Sequence, residues 1–136
     1  MEYVALAARI CLCLIFFQTG VSKVLAFEED VQMLTQQGLP LANVLLAGAV
    51  AFELLGAASL LLGYRVKVGS VLLILFLIPA TLVFHNPIAD PSQLIDFLKN
   101  LGLIGGLLML IYAGPGALRI DDRSSADKRT RRINSQ

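Results

Sequence analysis

The sequence predicts an all-α integral membrane protein, folded as an antiparallel four-helix bundle. Hydrophobic residues make up 57% of the 136 residues and charged residues only 15%, and the mean hydropathy is +0.75. The apolar residues gather in four stretches, each long enough to cross the roughly 30 Å hydrocarbon core of a bilayer. Because backbone polar groups need partners inside lipid, such stretches are expected to form helices.

The first predicted span covers residues 3–27. We expect it to be retained, because its apolar run is too long for a cleaved signal peptide and no A-x-A site follows it. The acidic residues 28–30 then begin a short amphipathic helix, with Val31 and Leu34 on one face, which is expected to lie at the membrane surface. Gly38 can end this helix in the left-handed conformation.

The second and third spans are predicted at residues 41–62 and 68–84, joined by a tight turn at 63–67. The second span is rich in small residues, which let helix backbones approach closely in lipid. Gly48 and Gly56 are therefore candidate helix-packing positions.

The fourth span is predicted at residues 92–113. Asp90 followed by Pro91 forms a good helix start, because an aspartate accepts backbone hydrogen bonds there and proline suits the first helical position. Gly102 and Gly106 form a GxxxG pattern, a second candidate packing face.

The helical domain is predicted to cover residues 1–118, followed by a basic tail at 119–136. The tail has few bulky apolar residues, so we expect it to be disordered and cytoplasmic. With both termini in the cytoplasm, every basic residue except Lys23 and Lys99 lies towards the cytoplasmic side, as the positive-inside rule favours. The tail lacks aromatic residues, and no nucleic-acid role is expected.

Ionisable side chains inside the apolar stretches are the candidates for a polar site, because hydrocarbon penalises charge by several kcal/mol. Glu53 lies near the bilayer centre, with Arg9 towards the inner side and Lys23 towards the outer side. Either basic residue could pair with Glu53, and an unpaired Glu53 would become protonated. Such a pair could fix helix packing, or it could belong to a ligand or proton site.

Other polar residues could line an outward-facing cleft above Glu53. They are Gln18, Lys23, His85, Asn86, Lys99 and Asn100. Such a cleft would suit an anionic or quinone-like headgroup, with His85 able to exchange a proton near neutral pH. The same histidine could instead be a solvated helix end, and both lysines could extend to the headgroups. A metal centre is not expected, because one histidine without a second His, Cys or well-placed carboxylates is a poor site.

Short motifs follow one another along nearly the whole chain. They are Ala8-Arg9-Ile10, Phe17 to Lys23, Gly38-Leu39-Pro40, Phe52 to Gly56, His85, and the run from Phe97-Leu98-Lys99-Asn100 to Gly114-Pro115-Gly116. In this order and spacing the chain resembles the DoxX family of small four-helix membrane proteins over about residues 4–122. The resemblance implies a bacterial inner membrane, and we expect the chain in a membrane of that type or in a thylakoid-like membrane. The resemblance also places Arg9, Lys23, Glu53 and His85 at the polar positions characteristic of such proteins.

The resemblance implies a link to redox work, because relatives include a subunit of a thiosulfate-oxidising, quinone-linked complex and proteins of oxidative-stress handling. Our leading hypothesis is an accessory or assembly subunit of a larger, redox-linked membrane complex. The chain lacks a CxxC pair and a recognisable flavin site, so we do not expect an enzyme on its own or an intrinsic cofactor. The alternatives are a quinone-linked oxidoreductase subunit using Glu53 and His85, and a small-solute carrier. Expected partners are membrane lipids, bound quinone or lipid, and either partner subunits or further copies of the chain.

Overall fold

Helices account for most of the chain that the structure describes. This structure is a computed structural model, and it describes residues 2–118 and 120. The helices are α1 (Glu2–Leu25), α2 (Phe27–Gln36), α3 (Ala42–Leu62), α4 (Val66–Phe84) and α5 (Leu94–Ala113), with a single 3₁₀ turn at Pro91–Gln93 leading into α5.

Four helical segments are long and apolar enough to cross a membrane. They are Tyr3–Leu25, Ala42–Leu62, Val66–Phe84 and Pro91–Ala113. The predicted all-α, four-helix membrane fold is therefore confirmed, with the first span ending at Leu25 instead of residue 27 and the third beginning at Val66 instead of residue 68. The predicted tail at 119–136 lies outside the described residues apart from Ile120.

The connections between helices follow local chemistry. Gly38, two residues after the end of α2, adopts φ +79° and donates its backbone N–H to the Thr35 carbonyl, and Gly63 adopts φ +66° at the turn between α3 and α4. These are left-handed conformations that glycine tolerates without a Cβ penalty. Asp90 begins the 3₁₀ turn by accepting the Ser92 backbone N–H at 3.0 Å. The residues expected at these turns do occupy them.

The long helices run alternately up and down, with α1 packed on α3, α3 on α4, and α4 on α5. The amphipathic helix α2 packs across the start of α3, where Leu34 is buried with Ala42 and Leu46. We call the α2 end of the bundle the upper half; it comprises residues 15–25, 42–53, 75–85 and 94–103. The lower half comprises residues 3–14, 54–62, 66–74 and 104–113.

The lower half is closely packed. Leu60, Leu73 and Leu107 are fully buried where the four long helices meet. Gly56 makes the approach of α3 to α4 possible, because a Cβ on it would lie 2.5 Å from Leu73 Cγ and 3.1 Å from the Gly69 carbonyl oxygen. This half therefore fixes the positions of the helices that frame the upper half.

Candidate functional site

Arg9 lies in the lower half, away from Glu53. The residue is 1% exposed, and its guanidinium donates to the Leu60 carbonyl at 3.3 Å and to the Leu118 carbonyl. Backbone carbonyls at the end of α3 and beyond α5 thus receive hydrogen bonds from one side chain of α1. Arg9 joins three parts of the chain at the lower end of the bundle.

Glu53 pairs with Lys23, which settles the choice that the sequence left open between two basic residues. Lys23 Nζ lies 2.9 Å from Glu53 Oε2, and the Thr19 hydroxyl donates to Glu53 Oε1. The Lys23 ammonium also lies 5.2 Å from the centre of the Phe76 ring, a cation–π distance. The Glu53 carboxylate, 1% exposed, therefore has a partner on each oxygen.

This ion pair borders a cavity of about 720 Å³ in the upper half. Apolar residues of α1, α3, α4 and α5 form most of its wall, and α2 contributes Met33, Leu34 and the acidic Asp30. Both residues line the cavity, and the Lys23 side chain is 27% exposed whereas that of Glu53 is 1% exposed. The site is an apolar chamber with a charged pair on one wall.

The other wall carries polar groups from α4 and α5. His85 Nδ1 lies 2.8 Å from the Gln93 side-chain oxygen, and because an amide oxygen only accepts, Nδ1 is the donor. Asn100 is buried and donates to the Thr81 hydroxyl at 3.0 Å, joining α4 to α5. Lys99 pairs with Asp96 at 2.7 Å. His85, Lys99 and Asn100 all line the cavity with Lys23 and Glu53.

Two of the expected cleft residues lie elsewhere. Gln18 is exposed on the outer face of α1, and it does not line the cavity. Asn86 lies in the loop after α4, where its side-chain oxygen accepts the Ile88 backbone N–H at 3.0 Å. The structure therefore gathers five of the eight candidate polar residues, and separates Gln18, Asn86 and Arg9 from them.

The four candidate packing glycines also differ from one another. Gly56 lies against α4, and a Cβ on Gly106 would lie 3.4 Å from Leu12 of α1. An added Cβ on Gly48 or Gly102 would meet no atom within 4 Å in the described structure. Gly48 lines the cavity and Gly102 does not.

At the upper end of α5, outside the spans, hydrogen bonds from the Ser92 side chain and backbone lower the pKa of the Asp90 carboxyl. The carboxylate form is the one that accepts both bonds, so these bonds favour it over the protonated form. The cap thus couples the start of α5 to the ionisation of Asp90.

Four residues that contact the candidates were not singled out by sequence reasoning: Thr19, Phe76, Thr81 and Gln93. A signal existed for Thr19, which lies four residues before Lys23 and so on the same helical face. Phe76, Thr81 and Gln93 lie on different helices or turns from the candidate residues that they contact. Only the packing of the helices brings each pair together.

Comparisons with known proteins agree with this architecture. The family model described as DoxX matches residues 4–86, which include α1 to α4 almost completely. Inner membrane protein YphA of Escherichia coli (strain K12) is 31% identical over 123 residues, covering 87% of this chain and 88% of the relative. Inner membrane protein YqjF of the same strain is 28% identical over 116 residues, covering 85% and 88%. No solved structure matches the chain significantly. The chain is a small, multi-pass membrane protein and belongs to the DoxX family.

Proposed function

We propose that this protein binds an amphipathic molecule of the quinone or lipid type in its upper-half cavity, with the polar headgroup at Lys23. The observation that carries the proposal is the placement of the Lys23–Glu53 pair on the wall of a mostly apolar chamber of about 720 Å³. Ligand sites for small molecules have volumes of about 300–1,000 Å³, apolar walls and a few fixed polar groups.

Lys23 is suited to hold a headgroup oxygen. An ammonium has three N–H donors, and the contact with Glu53 occupies one of them. Thr19 bonds to the Glu53 carboxylate, and that carboxylate holds the Lys23 ammonium at the cavity wall, so little freedom is lost when a ligand accepts a second hydrogen bond. A quinone carbonyl and a lipid ester carbonyl are both acceptors of this kind, and their apolar parts match the walls.

The shape of the cavity favours binding over passage. Its lining residues belong to the upper half and to the α2 segment, whereas the lower half is filled by Leu60, Leu73 and Leu107 and tied by Arg9. The small-solute carrier hypothesis needs a route through that packing, so the geometry supports it less than a one-sided binding site.

A matched pair of glycines offers the sharpest test. Gly48→Leu adds a side chain at the cavity, and Gly102→Leu adds the same side chain elsewhere; neither position has an atom within 4 Å of the new Cβ. Binding of a short-chain ubiquinone analogue would be measured by titration in nanodiscs, with mass spectrometry of molecules that co-purify.

We expect Gly48→Leu to weaken binding by about tenfold, about 1.4 kcal/mol, and Gly102→Leu to leave it unchanged. Equal affinities in the two variants would show that the cavity is not the site. A wild-type protein that binds no analogue and carries no quinone or lipid would refute the proposal itself.

The accessory-subunit hypothesis stays a prediction beside this one. A bound quinone would serve a redox partner, because the sequence offers this chain no recognisable redox cofactor site of its own. Co-purification of stoichiometric larger subunits in mild detergent would establish that role.

We also propose that the protein lies in the inner membrane, as the two Escherichia coli relatives do, with both termini in the cytoplasm. Protease accessibility of the tail in inverted vesicles would test this placement.

A further inference from the structure

The outer face of α1 carries one polar side chain, Gln18, and two small ones, Cys11 and Ser22, beside Leu14. Cys11, Leu14, Gln18 and Ser22 are all exposed, and their spacing of three and four residues puts them on one stripe of the helix. We call these four residues the α1 stripe. It lies opposite the face that sends Arg9, Cys13, Phe16 and Gly20 into the bundle.

Gln18 is the residue of this stripe that most needs a partner. Its carboxamide makes no hydrogen bond within the part of the chain that the structure describes. Gln18 lies four residues, about 6 Å, above Leu14 at the middle of the first span. About 9 Å of hydrocarbon then separates it from the headgroups. A glutamine side chain is too short to cover that distance.

We propose that the α1 stripe is a homodimer interface, in which Gln18 of one copy hydrogen-bonds to Gln18 of a second copy. Two copies inserted the same way are related by a two-fold axis along the membrane normal, so identical residues meet at the same depth. A carboxamide both donates and accepts, and is therefore complementary to itself. A second copy of the chain therefore offers a complementary group at the same depth.

The neighbours of Gln18 fit the same packing. The three- and four-residue spacing is the one that left-handed helix pairs use, and small side chains such as Cys11 and Ser22 let two backbones approach. Neither the core nor the cavity uses any residue of the stripe. The proposal is thus independent of ligand binding in the upper half.

Cys11 provides a native reporter for this interface. It lies two turns below Gln18 on the same stripe, whereas Cys13 is 3% exposed and points into the bundle. Copper-phenanthroline oxidation of native membranes should yield a cross-linked dimer from the wild type and from Cys13→Ser. Cys11→Ser should yield none.

Gln18→Leu then tests the hydrogen bond itself. The change removes a polar group from a lipid-facing surface, so the fold of the monomer is not threatened. We expect the dimer association constant in detergent to fall by about three- to tenfold, with Phe17→Leu, an exposed apolar neighbour, as the unchanged control.

A wild type that gives no Cys11 cross-link would overturn the proposal. So would cross-linking of Cys11 to a different protein, or a dimer whose association constant is the same in Gln18→Leu. Quinone binding measured on the same samples would report separately on the cavity.

Discussion

The two halves of the bundle use the same four helices in opposite ways. In the lower half, glycine at position 56 and leucines such as Leu60 and Leu73 leave no room between the helices. In the upper half, the helices frame a cavity of about 720 Å³, and polar contacts join them in pairs: Lys23 to Glu53 between α1 and α3, and Asn100 to Thr81 between α4 and α5.

The lower half supplies most of the packing that stabilises the bundle, and the upper half supplies the cavity. Close packing in the lower half holds the helix positions, so the upper half can stay open without losing its geometry. The cavity leaves less apolar packing between the helices of the upper half. Buried polar contacts therefore carry a larger share of the stability there. This division can be tested by substitutions in one half, with stability and ligand binding measured for each variant.

The largest effect is expected from Lys23→Met. This change leaves Glu53 buried without its ammonium, and breaking a buried pair costs about 3–5 kcal/mol. Thermal unfolding in mild detergent would measure the loss. The control is Lys99→Met, which removes a pair whose two side chains are both more than 40% exposed and should cost about 0–1 kcal/mol.

A double variant separates the effect of the Lys23–Glu53 ion pair on stability from its effect on binding of the quinone analogue. Lys23→Met combined with Glu53→Leu removes both charges, so most of the stability should return while binding of the quinone analogue stays lost. If Lys23→Met were as stable as Lys99→Met, the ion pair would not support the upper half.

The next effect is expected from Gly56→Ala in the lower half. The added methyl would lie 2.5 Å from Leu73 Cγ, and overpacking of this kind costs about 1–3 kcal/mol. Gly105→Ala is the matched control, since its Cβ would meet nothing within 4 Å and alanine favours the helix. A lower melting temperature should appear in Gly56→Ala alone. Equal melting temperatures would mean that α3 and α4 can separate without cost.

The fold was largely predictable because hydropathy and helix signals are local. Four apolar stretches, the glycine at position 38 and the Asp90 cap each act within a few residues, and each occurs where it was expected. Only the ends of the spans differ, by one or two residues, since fraying and capping decide them.

The candidate site was harder to predict, because sequence gives the depth of a residue in the membrane but not which helices face each other. Arg9 and Lys23 were both within reach of Glu53 in depth, and only the packing assigns Lys23 to it. Gln18 and Thr19 differ little in depth, yet one residue is a rotation of about 100° around the helix. Thr19 therefore faces Glu53 while Gln18 faces outward.

The smallest effect concerns how α5 begins at the upper end. The pKa of Asp90 is lowered in the folded state by the hydrogen bonds from Ser92. The carboxylate therefore stabilises the fold above the ordinary aspartate pKa, and this contribution is lost as pH falls through the lowered value.

Asp90→Asn tests this contribution. Asparagine is nearly as good a cap as aspartate at this position, but it does not titrate. We expect the wild type to lose slightly more melting temperature on acidification than the variant. The protection of the Ser92 amide against exchange, relative to the intrinsic rate at each pH, should fall in the wild type alone. Identical acid responses would show that packing on α4, and not the Asp90 cap, holds this end of α5, as packing holds the lower half.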